Sequence, residues 1–309
     1  MIRRLQFKLG MSGLAILFFS AFAFAQRPGS FPKIDPSLRI QIAPESVFKS
    51  FRDAGMKPVN HTLTPDEKEK VNKAFAHLTP LHQRILKKHL YSISFMDNMP
   101  NTALTSPVDK AGKTKIFNIT FRASLLDENI SQWATWKENT CFTPAADTSY
   151  KVRVEGGNMD AIIYVLMHEA THIVDIVTEV TPHPAERDTI MEPTPYTKNI
   201  WRKINMPAEA YIDSLLEQTR FRSGRPVPIN LAPEIYAKLA KTPFPSLYAM
   251  AAWSEDIAEL FTIYHLTTKM NQPFYIVVSK NNTELARFEP MKNTLVRQRL
   301  DQLSTFYKP

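Results

Sequence analysis

A chain of 309 residues that is 44% hydrophobic and 22% charged has the make-up of a folded soluble protein, with length for one large domain or two lobes sharing a cleft. No internal repeat or long low-complexity stretch is present, which sets aside solenoids and disordered arrays. The net charge of +8 comes without a Lys/Arg cluster interleaved with aromatics, so nucleic acid is not expected as a partner, and the single cysteine, Cys141, excludes disulfide stapling and cysteine-rich zinc sites.

Residues 1–25 have the form of a signal peptide. Arg3, Arg4 and Lys8 make a positive start, 9–24 is apolar, and Ala23-Phe24-Ala25 offers small residues at the two positions a signal peptidase reads. Cleavage is expected before Gln26, giving a secreted or periplasmic protein that meets a membrane only through this segment. An uncleaved anchor is the other reading, because the apolar run approaches spanning length. Cleavage would remove three positive charges and no acid, leaving +5, a balance suited to an anionic envelope or an acidic substrate.

Residues 26–60 are proline-rich and read as an extended arm, with a short helical run at 46–54 ended by Gly55. The main domain is expected over 61–309. Thr64-Pro65-Asp66-Glu67 is a helix start, with Thr as cap, Pro at the first helical position and Glu three after the cap. That helix runs to about 78, and Thr79-Pro80 restarts a second one ending near 89. Strands are expected at 91–95, 115–124 and 150–154 from their alternating or β-branched apolar residues. Asp160 then opens a long apolar helix to about 177. The interval 181–245 is irregular and proline-rich, an insertion with one helix near 207–219. A helix at 254–267 follows, then a hairpin of 274–278 and 284–288 turning at Asn281-Asn282, and a final amphipathic helix at 292–306. The order describes an α+β fold, a mixed twisted sheet packed on the long apolar helix, with a mainly helical C-terminal part.

That helix carries His168-Glu169-Ala170-Thr171-His172. Histidines at i and i+4 share a face, about 6 Å apart along the axis, so both imidazoles can reach one ion. Glu169 sits about 100° around the helix, placed to hold a catalytic water without ligating strongly. At this chain's composition the pattern is expected by chance in about 0.01 of chains. A zinc site of this kind needs one more protein ligand. Glu255, 83 residues after His172, is the candidate on a second helix, with Glu259 one turn later to accept the outer N–H of a ligating histidine. Asp256 is the competing ligand, and a pair of Glu four apart is also a common solvated face. Asp175 could orient a ligand or cap the helix end. His183 could donate a proton near the site or lie in solvent, and His265 reads as a surface or packing residue.

HEATHIVD together with YAMAAWSEDIAELF resembles the gluzincin clan of zinc metallopeptidases, closest to the lethal-factor-type branch with its HExxHxxD pattern followed by Tyr-x6-Glu-x-x-Ala-Glu. The pattern falls on His168, Glu169, His172, Asp175, Tyr248, Glu255, Ala258 and Glu259, well under a fifth of the chain. The resemblance implies a zincin-like fold, one catalytic Zn2+, peptide-bond hydrolysis with Glu169 as base, and Tyr248 stabilising the oxyanion. Without the resemblance, Tyr248 reads equally well as a core aromatic. Zincins bind peptide or protein substrates as an added strand, for which the strand-rich region 91–124, containing Asn101, is the expected edge. Two other readings stand beside this one: a catalytically silent zincin-fold binding or scaffold protein of the envelope, and a surface-docking protein whose metal is structural.

Overall fold

The computed structural model describes residues 39–109, 114–144, 149–186 and 189–308. The expected export segment and the arm as far as residue 38 lie outside the described residues.

The chain enters through α1 (Glu45–Asp53) and a two-residue strand β1 (Val59–Asn60). Helix α2 (Pro65–Ala76) begins at the expected capping box, Glu67 N–H donating to Thr64 Oγ1 while Glu67 Oε2 accepts from Thr64 N at 2.7 Å. Thr79 caps α3 (Pro80–His89) in the same way through His82 N–H. Strands β2 (Leu90–Asp97), β3 (Ala103–Pro107) and β4 (Phe117–Arg122) complete a mixed sheet of order β1-β2-β4-β3, parallel only between β2 and β4. Alternation divides its faces: Ile93, Phe95, Ile119 and Phe121 enter the main core, whereas Met96 joins Val47 and Phe51 of α1 in a small second core. Residues 39–60 are therefore bound to the sheet at several points, with Gln41 N–H donating to Ile93 O at 2.8 Å and Val59 pairing with Asp97.

Helix α4 (Ile130–Asn139) has no counterpart in the expected elements. Its mark was present: Asn129 accepts from Gln132 N, and Gln132 reaches back to Asn129 N, a second capping box. After β5 (Phe142–Thr143) and β6 (Tyr150–Glu155), α5 (Ala161–Thr178) runs through the core. It packs against α2, α3, α4 and β3. It is long and apolar enough to cross a bilayer, but most of it is buried inside the protein, as a core helix is. It ends where Glu179 takes the left-handed conformation at φ 56°.

The interval after α5 holds a small hairpin, β7 (Trp201–Lys203) and β8 (Met206–Pro207), a one-turn helix α6 (Arg220–Ser223), β9 (Val227–Pro228) on β5, and α7 (Ala232–Leu239). The helix expected near 207–219 is two 3-10 turns instead. Asp213 accepts from Leu215 N and Leu216 N, an Asx turn that competes with helical bonding. Helix α8 (Trp253–Tyr264) crosses α5 and continues as a π-turn at His265–Lys269. Strands β10 (Tyr275–Lys280) and β11 (Thr283–Phe288) form the hairpin, with Asn281 and Asn282 both at positive φ, as a tight turn of this kind requires. The expected final helix breaks into α9 (Thr294–Arg297) and a 3-10 stretch at Leu300–Tyr307. Arg299 sits at the break and reaches inward to Asp256. The fold is α+β, with a mixed four-stranded sheet, α5 embedded among helices, and a largely helical C-terminal part.

Candidate metal centre

Crossing of α8 over α5 brings together residues that are 83 apart in sequence. His168 and His172 leave one face of α5 with ring centroids 4.8 Å apart and planes at 85°. Glu255, in the first turn of α8, points a single oxygen at both, with Oε2 3.1 Å from His168 Nε2 and 3.4 Å from His172 Nε2. One donor atom from each residue lies within 4.8 Å of the others, so the trio could hold one metal ion. Two imidazole nitrogens and one carboxylate oxygen suit zinc in a site that leaves a coordination position open.

Burial alone would lower the basicity of His168, yet the carboxylates of Glu255 and Glu259 outweigh it and raise its pKa to about 9. His172 is raised as well, Glu255 overcoming the burial that opposes it. Glu255 itself is held well below the usual carboxylate range by the two imidazoles, against its own desolvation. The pocket thus favours positive charge at the point where the three donors converge.

Glu259 lies behind His168. Its Oε1 is 3.2 Å from His168 Nδ1 and also accepts from Tyr164 OH at 3.0 Å and Lys137 Nζ at 3.0 Å. Its Oε2 accepts from Ser246 Oγ at 2.6 Å. Burial would raise its pKa, but Lys137, His168 and Ser246 bring it to about 2. An ionised carboxylate held by three donors of the chain stands where it can orient the ring in front of it.

The catalytic candidates line a cleft of about 680 Å³ that opens onto His168 and Glu255. Glu169 lies on the cleft wall, and Thr105 Oγ1 of β3 donates to its Oε2 at 2.6 Å. Tyr248 stands just before α8, its ring stacked on His168 at 5.8 Å. Lys137 Nζ lies 4.1 Å from the centre of that ring. Burial first, then the negative charge of Glu255 and Glu169, pushes the Tyr248 phenol well above its ordinary pKa. It is therefore a neutral hydrogen-bond donor.

The remaining sequence candidates are spread around the fold. Asp175 accepts from Thr181 N at 2.6 Å and Thr181 Oγ1 at 2.7 Å, securing the chain as it leaves α5; the imidazole beside it is His183, at 3.7 Å. His183 also meets the Asp175 carbonyl at 3.2 Å, at the helix end. Asp256, the competing ligand, faces the other way: its carboxylate is taken by Arg299 at 2.5 and 3.0 Å and by Trp201 Nε1 at 2.9 Å. His265 is a packing residue, bonded to Tyr307 OH at 2.8 Å and stacked on that ring.

Lys137, Tyr164, Ser246 and Thr105 were not singled out in the sequence. Three of them act through Glu259 and the fourth through Glu169, so only the tertiary fold reveals them. The capping box at Asn129 is the one local signal that would have placed Lys137 on a helix. Comparison of the chain with protein-family models, with curated proteins and with solved structures finds no match in any of the three.

Proposed function

We propose that this chain is an exported zinc-dependent peptidase. The observation that carries the reading is the position of Glu169: a carboxylate on the wall of an open cleft, one residue from His168, with Tyr248 also on that cleft. Zinc, when bound by His168, His172 and Glu255, would supply Lewis acidity toward a carbonyl and acidify a water to a pKa near about 7. The residues of the chain would do the rest. Glu169 would take the proton of the attacking water and pass it to the departing amine. Thr105, donating to one oxygen of Glu169, would hold that carboxylate so that the other faces the cleft. The neutral Tyr248 phenol would donate to the oxyanion as it forms.

The edge of the sheet supports a peptide as substrate. Among the described residues β3 pairs with β4 on one side only, and Asn101, Thr102 and Ala103 lie on the cleft wall. An extended peptide could add there as a further strand. Export rests on residues 1–25 as read from the sequence.

The test is digestion of a peptide library by zinc-loaded protein, with and without a chelator, beside Glu169→Gln. Expected are new peptide ends with the wild type, abolished by chelation and reduced at least about 100-fold in the variant. Absence of new ends with a zinc-replete wild type would support the silent binding protein instead.

A further inference from the structure

Among the described residues three cations reach the cleft wall, and two of them are already committed. Lys137 is held by Glu259 and by the Tyr248 ring. Arg222 gives Nε and Nη2 to Glu217 at 2.9–3.2 Å and Nη1 to the carbonyls of Asn205 and Met250 at 2.7 and 2.8 Å. Arg220 is different. Among the described residues its guanidinium makes one hydrogen bond, from Nη1 to Thr140 O at 3.0 Å, and pairs with no carboxylate.

Its mounting is tied to the fold at several points. Arg220 opens the one-turn helix α6, which Arg222 ties to the segment before α8, and the next residue, Phe221, packs its ring 4.8 Å from Tyr248. The Thr140 carbonyl fixes the guanidinium at the C-terminal end of α4. The acids on the cleft wall, Glu169 and Glu255, are the base and a metal ligand of the proposed reaction, and neither pairs with Arg220.

We propose that Arg220 is a specificity residue that receives a substrate carboxylate, either an acidic side chain near the scissile bond or a free C-terminus. This rests on the peptidase reading of the cleft. Both sources offer the planar, two-oxygen partner that a guanidinium fork matches. The interval between α5 and α8 thus supplies the recognition group, while α5 and α8 supply the chemistry.

The test uses zinc-loaded Glu169→Gln protein and dye-labelled blocked hexapeptides that differ at one position, Glu, Gln or Lys, together with a Gln peptide ending as a free acid or an amide. Binding is read by fluorescence anisotropy, so the result does not depend on turnover. A single charge-assisted contact is expected to favour one carboxylate peptide over its neutral partner by about 10-fold. The Glu/Gln pair reports a side chain and the acid/amide pair a C-terminus. Arg220→Gln, which keeps a donor for Thr140 O, should erase the preference, and Arg220→Glu should shift it toward Lys. Equal binding across both pairs by the wild-type cleft, or a preference that survives Arg220→Gln, would overturn the proposal. A retained preference in a protein that cleaves nothing supports the subsite and removes the peptidase reading alone.

Discussion

Glu259 Oε1 stands 3.2 Å from Nδ1 of His168, on the side of the ring opposite Glu255. The same carboxylate accepts from Lys137, Tyr164 and Ser246, groups from α4, α5 and the loop before α8. The carboxylate facing this imidazole is thus held by three separate parts of the fold. Glu259→Gln should keep the size of the side chain but lose the anion facing His168. Metal affinity, measured by competition with a chromophoric chelator, is expected to fall about 10- to 100-fold. An unchanged affinity would mean that His168 is oriented by packing alone.

Thr105 carries a narrower expectation. Its hydroxyl donates to Glu169 at 2.6 Å, so Thr105→Val should leave metal content intact and lower kcat, with a smaller effect on KM. A loss of roughly 10-fold fits the removal of one hydrogen bond to a charged group. Steady-state kinetics on any peptide the wild type cleaves is the check, and a fall in bound metal would contradict the assignment.

Cation binding should expel protons. Glu255 and Glu259 raise His168 to about 9, and Glu255 also raises His172, so near neutral pH the imidazoles favour protons that an ion must displace. Affinity is therefore expected to weaken as pH falls below about 9, where competition from protons on His168 begins. Calorimetry of zinc binding at pH 7 in two buffers of different ionisation enthalpy should report release of about one proton or more per ion. Release of none would place the site elsewhere.

His82 gives a stability signature independent of the metal. It is fully buried between Phe261 and Phe306, with Nδ1 2.8 Å from Thr79 Oγ1 and Nε2 3.1 Å from Thr171 Oγ1. Thr171 gives its own proton to Met167 O, so Nε2 of His82 carries the hydrogen and Nδ1 accepts. Burial first, and then His265, depresses its pKa from 6.5 to about 3. Between those values the unfolded chain binds the proton and the folded chain does not. Stability contributed by the neutral ring is thus complete above about 6.5 and is lost as pH falls toward about 3, with a slope approaching about 1.4 kcal/mol per pH unit. Urea denaturation from pH 7 to 4 should show a shallower fall in His82→Phe than in the wild type. Equal slopes would show that this histidine is not held neutral.

The helix that carries His168 and His172 was legible because its information is local: two histidines four apart and a glutamate between them need only helical geometry. Helix α2 was legible for the same reason, since Thr64 and Glu67 satisfy each other within one turn. Glu255 could be singled out over Asp256 as a candidate, but the physical choice between them comes from Arg299, which draws Asp256 away from the histidines. Nothing near Asp256 in the sequence announces that partner. Arg299 also sits where the expected final helix breaks, with its guanidinium on Asp256. Helix α4 escaped because one of its faces is core and another is cleft, so Trp136 and Lys137 blur the amphipathic pattern. The interval between α5 and α8 stayed opaque because its short pieces are positioned by contacts with distant segments, such as β9 on β5 and Arg220 on Thr140.

Metal content is the most direct measurement of the central claim, that His168, His172 and Glu255 together hold one ion. Wild type, Glu255→Ala and Asp256→Ala would be loaded with zinc, dialysed and quantified by inductively coupled plasma mass spectrometry, with circular dichroism to confirm folding. The expected result is about one zinc per wild-type chain, a strong loss in Glu255→Ala, and retention in whatever fraction of Asp256→Ala remains folded. Full zinc in a folded Glu255→Ala protein would contradict the account.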